Sequence, residues 1–190
     1  MKSLENFTSS NLIDPKEYGV DLSKSPIAET ESWVYKGTDI NGTPIALKMY
    51  YRWWIKRQIG LKELRKYIST IEKANEHLKG QTIVLYKKKK KNKLKLRANP
   101  IYHIGKTLEG EVCSISRFIE GPTIQELLDR EYEPLNINTL EVMSHLLNEG
   151  IETSHISIIP INVKFLEESR EAIITDLYDQ VQKLKWEPQV

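Results

Sequence analysis

The sequence is poor in cysteine, in long apolar runs and in any excess of one charge. Cys113 is the single cysteine among 190 residues, so an internal disulfide is excluded, and a chain without disulfides suits a reducing compartment. No apolar run approaches the roughly 18 residues that a membrane-spanning helix needs. The N-terminus, MKSLENFTSSNL, lacks the hydrophobic segment of a secretory signal. With 39% hydrophobic and 28% charged residues, we expect a globular, cytoplasmic protein.

The charge is nearly balanced but unevenly distributed. The net charge is +2, yet the window Lys87–Arg97, KKKKKNKLKLR, contains eight basic residues and no acidic one. Outside this window acidic residues outnumber basic ones, which excludes a globally basic nucleic-acid-binding protein. Because the window has no interleaved aromatic residues for base stacking, we interpret it as a solvated hairpin tip and expect no nucleic-acid partner. A weak contact of Lys87–Lys95 with an anionic membrane surface is the alternative.

Local signals predict strands followed by a long helix in the first part of the chain. Residues 1–24 are polar and turn-rich, which indicates a loose N-terminal extension. Two strand-like runs flank Asn41-Gly42, a dipeptide that favours a type I′ hairpin turn. Apolar residues then recur at helical spacing from Leu61 to Leu78, and Gly80 is a suitable residue to end that helix.

The second part of the sequence continues with strands and then helices. QTIVLY, LKLRANPIYHIG and EVCSISRFIEG read as three strands. Thr123 and Glu126 form a capping box at the start of one helix, a second helix ends at Gly150, and the short strands NVKFL and EAIITD follow. This order predicts an α+β chain: an antiparallel sheet with one main helix in residues 25–121, which include the lysine-rich hairpin 87–97, and a mostly helical part in residues 122–190.

One lysine stands on the predicted third strand, in PIALKMY. Ala46-Leu47-Lys48 occurs where protein kinases carry Val-Ala-Ile-Lys, whose lysine binds the ATP phosphates and pairs with a glutamate on the next helix. Glu63 is the partner that the helical register favours, and Glu72 is the second choice. An ordinary strand lysine is the alternative interpretation of Lys48.

A second motif, HISIIPINVKF followed by AIITD, has the spacing of a kinase catalytic loop and its metal-binding aspartate. His155 is in place, and Asn162 and Asp176 stand at magnesium-ligand positions. The general-base position carries Ser157, whose hydroxyl has no accessible pKa for accepting a proton. We therefore predict no catalytic residue and no enzyme activity.

The glycine-rich loop that covers the nucleotide phosphates in kinases is missing from the sequence. Its three glycine positions fall on Ile27, Glu29 and Ser32, and Glu29 would bring a negative charge toward the triphosphate. We expect that no cofactor is required and that any binding of ATP and Mg²⁺ is weak. The residues that would bind them are Lys48, Glu63, Asn162 and Asp176.

Four aromatic residues occur directly after Lys48, in MYYRWWIKR: Tyr50, Tyr51, Trp53 and Trp54. Not all of them can face inward, and Trp, Tyr and Arg are common anchors of protein interfaces. We predict that this segment contacts a protein partner, with packing against the sheet as the alternative.

Residues from about 25 to 178 resemble a protein kinase domain of the tyrosine-kinase-like group. The segments WVYKGTDINGTPIALKMY and GPTIQELLDREYE are similar to those of the mixed lineage kinase domain-like pseudokinase family, which executes necroptosis and also lacks the catalytic aspartate. The lysine-rich insertion and the retained Asp176 depart from the family pattern. Only 14 residues follow Asp176, so we expect no activation segment and no substrate-binding helical lobe.

The resemblance extends to truncated members of that family from some poxviruses. It implies a viral pseudokinase that acts as a decoy in the host cytoplasm, where it sequesters a receptor-interacting kinase and inhibits necroptosis. The alternative is a minimal, active kinase-like phosphotransferase, or a bacterial or viral kinase-like effector, that uses Lys48, Asn162 and Asp176.

Overall fold

The computed structural model describes residues 12–29, 32–50, 61–87, 90–130, 138–151 and 162–175. The chain divides into two compact units. The first consists of Met1–Ile68 and Pro100–Ile119, and the second of Ser69–Asn99 and Glu120–Val190. Among the helices within these described ranges, none is both long and apolar enough to cross a bilayer.

The first unit is built on a five-stranded antiparallel sheet. Its strands are β1 (Ala28–Glu29), β2 (Ser32–Thr38), β3 (Pro44–Tyr50), β6 (Ile101–Lys106) and β7 (Val112–Arg117), in the order β1-β2-β3-β7-β6. Because side chains alternate along a strand, Ile45, Leu47 and Met49 of β3 point to one face, where they pack with Cys113 and Ile115 of β7. Lys48 therefore belongs to the other face.

The N-terminal segment covers the apolar face of this sheet. Ile13, Tyr18 and Val20 are almost completely buried in the same core cluster, and the Tyr18 ring lies 5.6 Å from that of His103. A short 3₁₀ helix, Pro15–Tyr18, is capped by the Asp14 side chain, which accepts a hydrogen bond from the Lys16 amide. Residues 12–24, which are polar enough to predict a loose extension, thus contribute to the core of the first unit. Widely spaced apolar residues in a polar segment gave no periodic signal.

The β2–β3 hairpin forms as predicted, but its turn is of a different type. The Asp39 side chain accepts hydrogen bonds from the amides of Asn41 and Thr43, at 2.9 and 2.8 Å. Gly42 has φ +78°, whereas Asn41 does not have positive φ, which a type I′ turn requires at both positions. The prediction of a type I′ turn is therefore wrong, because the buried Asp39 organises a longer loop around its own carboxylate.

The second unit contains a four-stranded mixed sheet. Its strands are β4 (Thr82–Lys87), β5 (Lys90–Ala98), β8 (Val163–Leu166) and β9 (Glu171–Ile174), in the order β4-β5-β9-β8, with β5 and β9 parallel. The α-helices in the described part of the chain are α1 (Leu61–Leu78), α2 (Ile124–Arg130) and α3 (Asn138–Ile151). Helix α3 packs against β4, and one face of the sheet is buried through Ile83, Leu85, Leu94, Leu96, Ala172 and Ile174.

The lysine-rich hairpin is formed by β4 and β5, and it belongs to the second unit. The local sequence patterns instead predict that it belongs with residues 25–121 and that LKLRANPIYHIG is one strand. In the structure this run is two strands in different sheets, since β5 ends at Ala98, β6 begins at Ile101 and the intervening Pro100 has no amide to donate. Pairing of β5 with β9, far along the chain, was not visible in local sequence patterns.

Two side-chain devices stabilise the second unit. The Asn75 amide of α1 donates to the Ala98 carbonyl at 3.1 Å and accepts from the Ala98 amide at 2.8 Å, which ties the helix to β5. The predicted capping box is confirmed: the Thr123 amide donates to the Glu126 carboxylate at 2.7 Å, and the Glu126 amide donates to the Thr123 hydroxyl at 3.1 Å.

Candidate functional site

The polar face of the first sheet carries Lys48. Lys48 is half-buried on β3, opposite Val34 of β2 and Ser114 of β7. Its Nζ atom lies 5.4 Å from the centroid of the Tyr50 ring, two residues further along the same strand and on the same face. This geometry is a cation–π contact, which stabilises an ammonium group without a carboxylate.

Tyr50 is part of this face and not of the protein surface. Its side chain is 8% exposed, and its hydroxyl group hydrogen-bonds the Ser114 hydroxyl at 3.0 Å. Burial of the ring argues against the predicted partner contact at Tyr50. The other residues predicted for that contact, Tyr51, Trp53 and Trp54, lie outside the described residues.

Lys36 is a second lysine on the same face, and no sequence motif predicted it. Lys36 pairs in register with Ala46, and its Nζ atom lies 4.7 Å from the centroid of the Phe118 ring. The alternation of β2 could have revealed it, because Val34 and Lys36 share one face. The polar face thus presents two ammonium groups, and each lies over an aromatic ring.

The three positions expected for phosphate-binding glycines lie along the β1–β2 hairpin. Ala28 and Glu29 pair with Val34 and Trp33, and the Ile27 amide donates to the Val34 carbonyl at 2.8 Å. The Ser32 side chain is 1% exposed, and among the described residues its hydroxyl has no hydrogen-bond partner. In a phosphate-binding loop, free backbone amides surround the phosphate. Here the Ile27 amide is already bonded to β2, and the Ser32 side chain is buried at the third position.

The predicted metal and catalytic residues are described only in part. Asn162 lies directly before β8, and its carbonyl accepts hydrogen bonds from the Thr175 amide at 2.8 Å and the Thr175 hydroxyl at 3.1 Å. His155, Ser157 and Asp176 lie outside the described residues. Glu63 is on α1, of which side chains are described only from Ser69 onward, so its pairing with Lys48 stays a prediction.

Two groups in the core of the first unit have strongly perturbed acidity. Burial, with a smaller contribution from Glu111, raises the pKa of the Cys113 thiol to about 12. Burial likewise raises the pKa of Tyr18 to about 12, with a smaller contribution from Glu17. Both groups are therefore neutral at physiological pH, and Cys113 is a packing residue and not a nucleophile. No cluster of three or more His, Cys, Asp or Glu side chains within the described ranges could hold a metal ion.

The sheet order, the lysine on the third strand and the long helix that follows define a kinase-like α+β fold. Among solved structures, the chain is similar to a pseudokinase in its apo form, with a TM-score of 0.52 and 18% identity over 90% of this chain and 62% of the other. It is also similar to the pseudokinase DRIK1 (drought responsive inactive kinase 1) bound to ENMD-2076, with a TM-score of 0.51 and 18% identity over 87% of this chain and 61% of the other.

These likenesses confirm the predicted fold class. The chain spans 62% and 61% of the lengths of the two pseudokinases, and at 18% identity the likeness concerns the fold alone. No protein-family model matches the chain, and no curated protein matches its sequence.

Proposed function

We propose that this protein is a catalytically inactive pseudokinase that acts by binding another protein. The observation that carries the proposal is the β1–β2 hairpin, to which the sequence assigns the three positions of the phosphate-binding glycines, namely Ile27, Glu29 and Ser32. A strand-paired Ile27 amide and a buried Ser32 side chain leave little backbone to surround a triphosphate. Loss of this loop removes much of the nucleotide affinity of a kinase.

The sequence supports the absence of proton transfer independently of nucleotide affinity. Ser157 stands at the general-base position, and a serine hydroxyl does not accept the proton of a substrate hydroxyl at neutral pH. Lys48 is retained, yet its ammonium group contacts the Tyr50 ring, which gives this lysine a role in the sheet without ATP.

The partner that we propose is a receptor-interacting kinase. The support is the resemblance of two sequence segments to the mixed lineage kinase domain-like family and the aromatic segment with Trp53 and Trp54. In this proposal the protein is a viral decoy in the host cytoplasm that occupies the kinase and inhibits necroptosis.

Catalysis is tested by nucleotide binding and phosphoryl transfer. We expect Mg²⁺ and ATP to shift the melting temperature little, and radiolabelled ATP to label neither the protein nor a general substrate. Lys48→Met is the informative variant, and Lys106→Met, at an exposed site of the same unit, is its control. Transfer that Lys48→Met abolishes and Lys106→Met leaves intact would instead establish the alternative, a minimal kinase-like phosphotransferase.

The partner is tested by co-purification from cells that contain a receptor-interacting kinase. We expect the kinase to co-purify with the wild-type protein and to be lost with the double substitution Trp53→Ala and Trp54→Ala. Leu108→Ala, at a side chain that is 69% exposed, is the control and should retain the kinase. Absence of the kinase from folded wild-type protein would reject this partner.

A further inference from the structure

The outward face of the β4–β5 hairpin carries a single file of lysines. Lys91, Lys93 and Lys95 of β5 are all exposed, whereas the alternate residues Leu94 and Leu96 are buried. Alternate residues of a strand lie about 7 Å apart, so the three ammonium groups form a row along the strand. We call Lys91, Lys93 and Lys95 the lysine row.

The acidic side chain nearest to the lysine row is engaged by another residue. Glu171 of β9 lies in register with Lys95, and its carboxylate forms an ion pair with Arg97, the next outward residue of β5, at 3.2 Å. Within the described parts of the chain, none of the three lysines has an ion-pair or hydrogen-bond partner for its side chain. The carboxylate in register with Lys95 is thus engaged by Arg97 and not by the lysine row.

The row carries an electrostatic cost that an anionic ligand would offset. The three ammonium groups of the lysine row follow one another about 7 Å apart on one face of β5, and like charges at that separation repel one another. No acidic residue occurs anywhere from Thr82 to Ala98. A polyanion bound along the row would relieve the repulsion, so binding should stabilise the hairpin.

The neighbouring strand indicates the shape of that polyanion. The residues opposite the lysine row are Tyr86, Val84 and Thr82, so β4 adds no cation to this face. An anionic lipid surface is two-dimensional and is matched by cations on adjacent strands, whereas a phosphate backbone is itself a single file of charges. Tyr86, opposite Lys91 and 43% exposed, offers a ring on which a base can stack.

We propose that the outward face of the β4–β5 hairpin binds single-stranded nucleic acid, with the lysine row on the phosphates and Tyr86 on a base. The sequence window itself lacks aromatic residues, which argued against such a partner. Strand pairing supplies the missing ring from β4. This activity is independent of the kinase-like site in the first unit.

The test measures how affinity depends on salt. A fluorescein-labelled oligouridylate of about 20 nucleotides is titrated with the full-length protein between about 50 and 200 mM salt, and binding is followed by anisotropy. Each lysine–phosphate contact with a single strand adds about 0.7 to the slope of log affinity against log salt. The triple substitution Lys91→Gln, Lys93→Gln and Lys95→Gln should therefore lower that slope by about 2.

Two further variants separate the row from net charge and from stacking. Substitution of Lys24, Lys73 and Lys106 by glutamine removes the same charge from exposed sites elsewhere and should leave the slope nearly unchanged. Tyr86→Leu should weaken binding about tenfold at every salt concentration without changing the slope. Because the row substitutions remove repulsion, that variant should melt at or above the wild-type temperature, which checks that it is folded.

Other outcomes would overturn the proposal. An unchanged slope in the row variant, or an equal loss in the control variant, would show that the row makes no specific contact. Stronger binding to a duplex of the same length would reject the single strand. Binding to phosphatidylserine-containing vesicles but not to the oligonucleotide would assign the lysine row to a membrane surface instead.

Discussion

Removal of the Asn75 side chain should destabilise the second unit far more than a surface substitution. The Asn75 amide satisfies both backbone groups of Ala98, a residue that is 1% exposed. In Asn75→Ala the Ala98 amide and carbonyl lose these partners in a place that water does not reach. An unsatisfied buried polar group costs about 1–3 kcal/mol, so we expect a loss of about 2–4 kcal/mol in the free energy of unfolding.

Hydrogen exchange followed by mass spectrometry measures this loss locally. Peptides that cover β5 and β9 report on the second unit even if the two units unfold separately. Glu76→Ala, at the next and exposed position of α1, is the matched control and should change the stability by less than about 0.5 kcal/mol. If Asn75→Ala is no more destabilising than Glu76→Ala, the connection between α1 and β5 does not contribute as argued.

The variant Asn75→Asp distinguishes the two hydrogen bonds. A carboxylate still accepts from the Ala98 amide but faces the Ala98 carbonyl without a hydrogen to donate. Protonation restores the donor, so the loss of stability relative to wild type should shrink as the pH falls from neutral toward about 4. A loss that is independent of pH would mean that the carbonyl is satisfied in another way.

Three further outcomes follow from the described geometry. Gly121 has φ +140°, and a Cβ atom there would lie 2.5 Å from the Phe165 carbonyl oxygen, so Gly121→Ala should lower the unfolding free energy by about 2–4 kcal/mol in urea denaturation. Thr123→Ala should cost about 1 kcal/mol by the same assay because it removes the capping box with Glu126, whereas Thr123→Ser should retain most of that stability. Burial raises the pKa of Cys113 to about 12, so the thiol of the folded protein is protonated at pH 8. A thiol reagent should then modify Cys113 only as fast as the protein unfolds locally around it. The unfolded thiol ionises near pH 8.5, so wild type should also lose stability as the pH rises from about 9 to 12, and Cys113→Ala should lose less.

Local signals in the sequence predicted the elements well. The Asn41-Gly42 hairpin, the helix that ends before Gly80 and the capping box at Thr123 all depend on residues within a few positions of each other. Each of these features is decided by backbone conformation or by hydrogen bonds inside a single turn. The third-strand position of Lys48 was predictable for the same reason, because strand order along the chain needs no knowledge of distant pairing.

Features that depend on distant contacts could not be predicted. Parallel pairing of β5 with β9 places Lys95 opposite Glu171. The residues around the lysine window contain no local signal that predicts a neighbouring strand so far along the chain. The burial of Ile13 and Tyr18 is of the same kind, because each contributes one isolated apolar side chain to a core assembled from several strands. The turn at Asp39 shows the limit at short range, where one side chain competing for backbone amides changed the type of turn.

The retention of Lys48 is weak support for catalysis in this fold. A lysine on a strand gains about 0.5–2 kcal/mol from a ring placed as Tyr50 is, and Tyr50 is in turn held by its hydrogen bond to Ser114. Lys48 therefore contributes to the stability of the sheet whether or not ATP binds. The positions that would distinguish an enzyme are those without a structural substitute, namely the phosphate-binding glycines and the general base. The sequence motifs assign Ile27, Glu29 and Ser32 to the glycine positions and Ser157 to the general-base position, and the proposal of a binding protein depends on these assignments and not on Lys48.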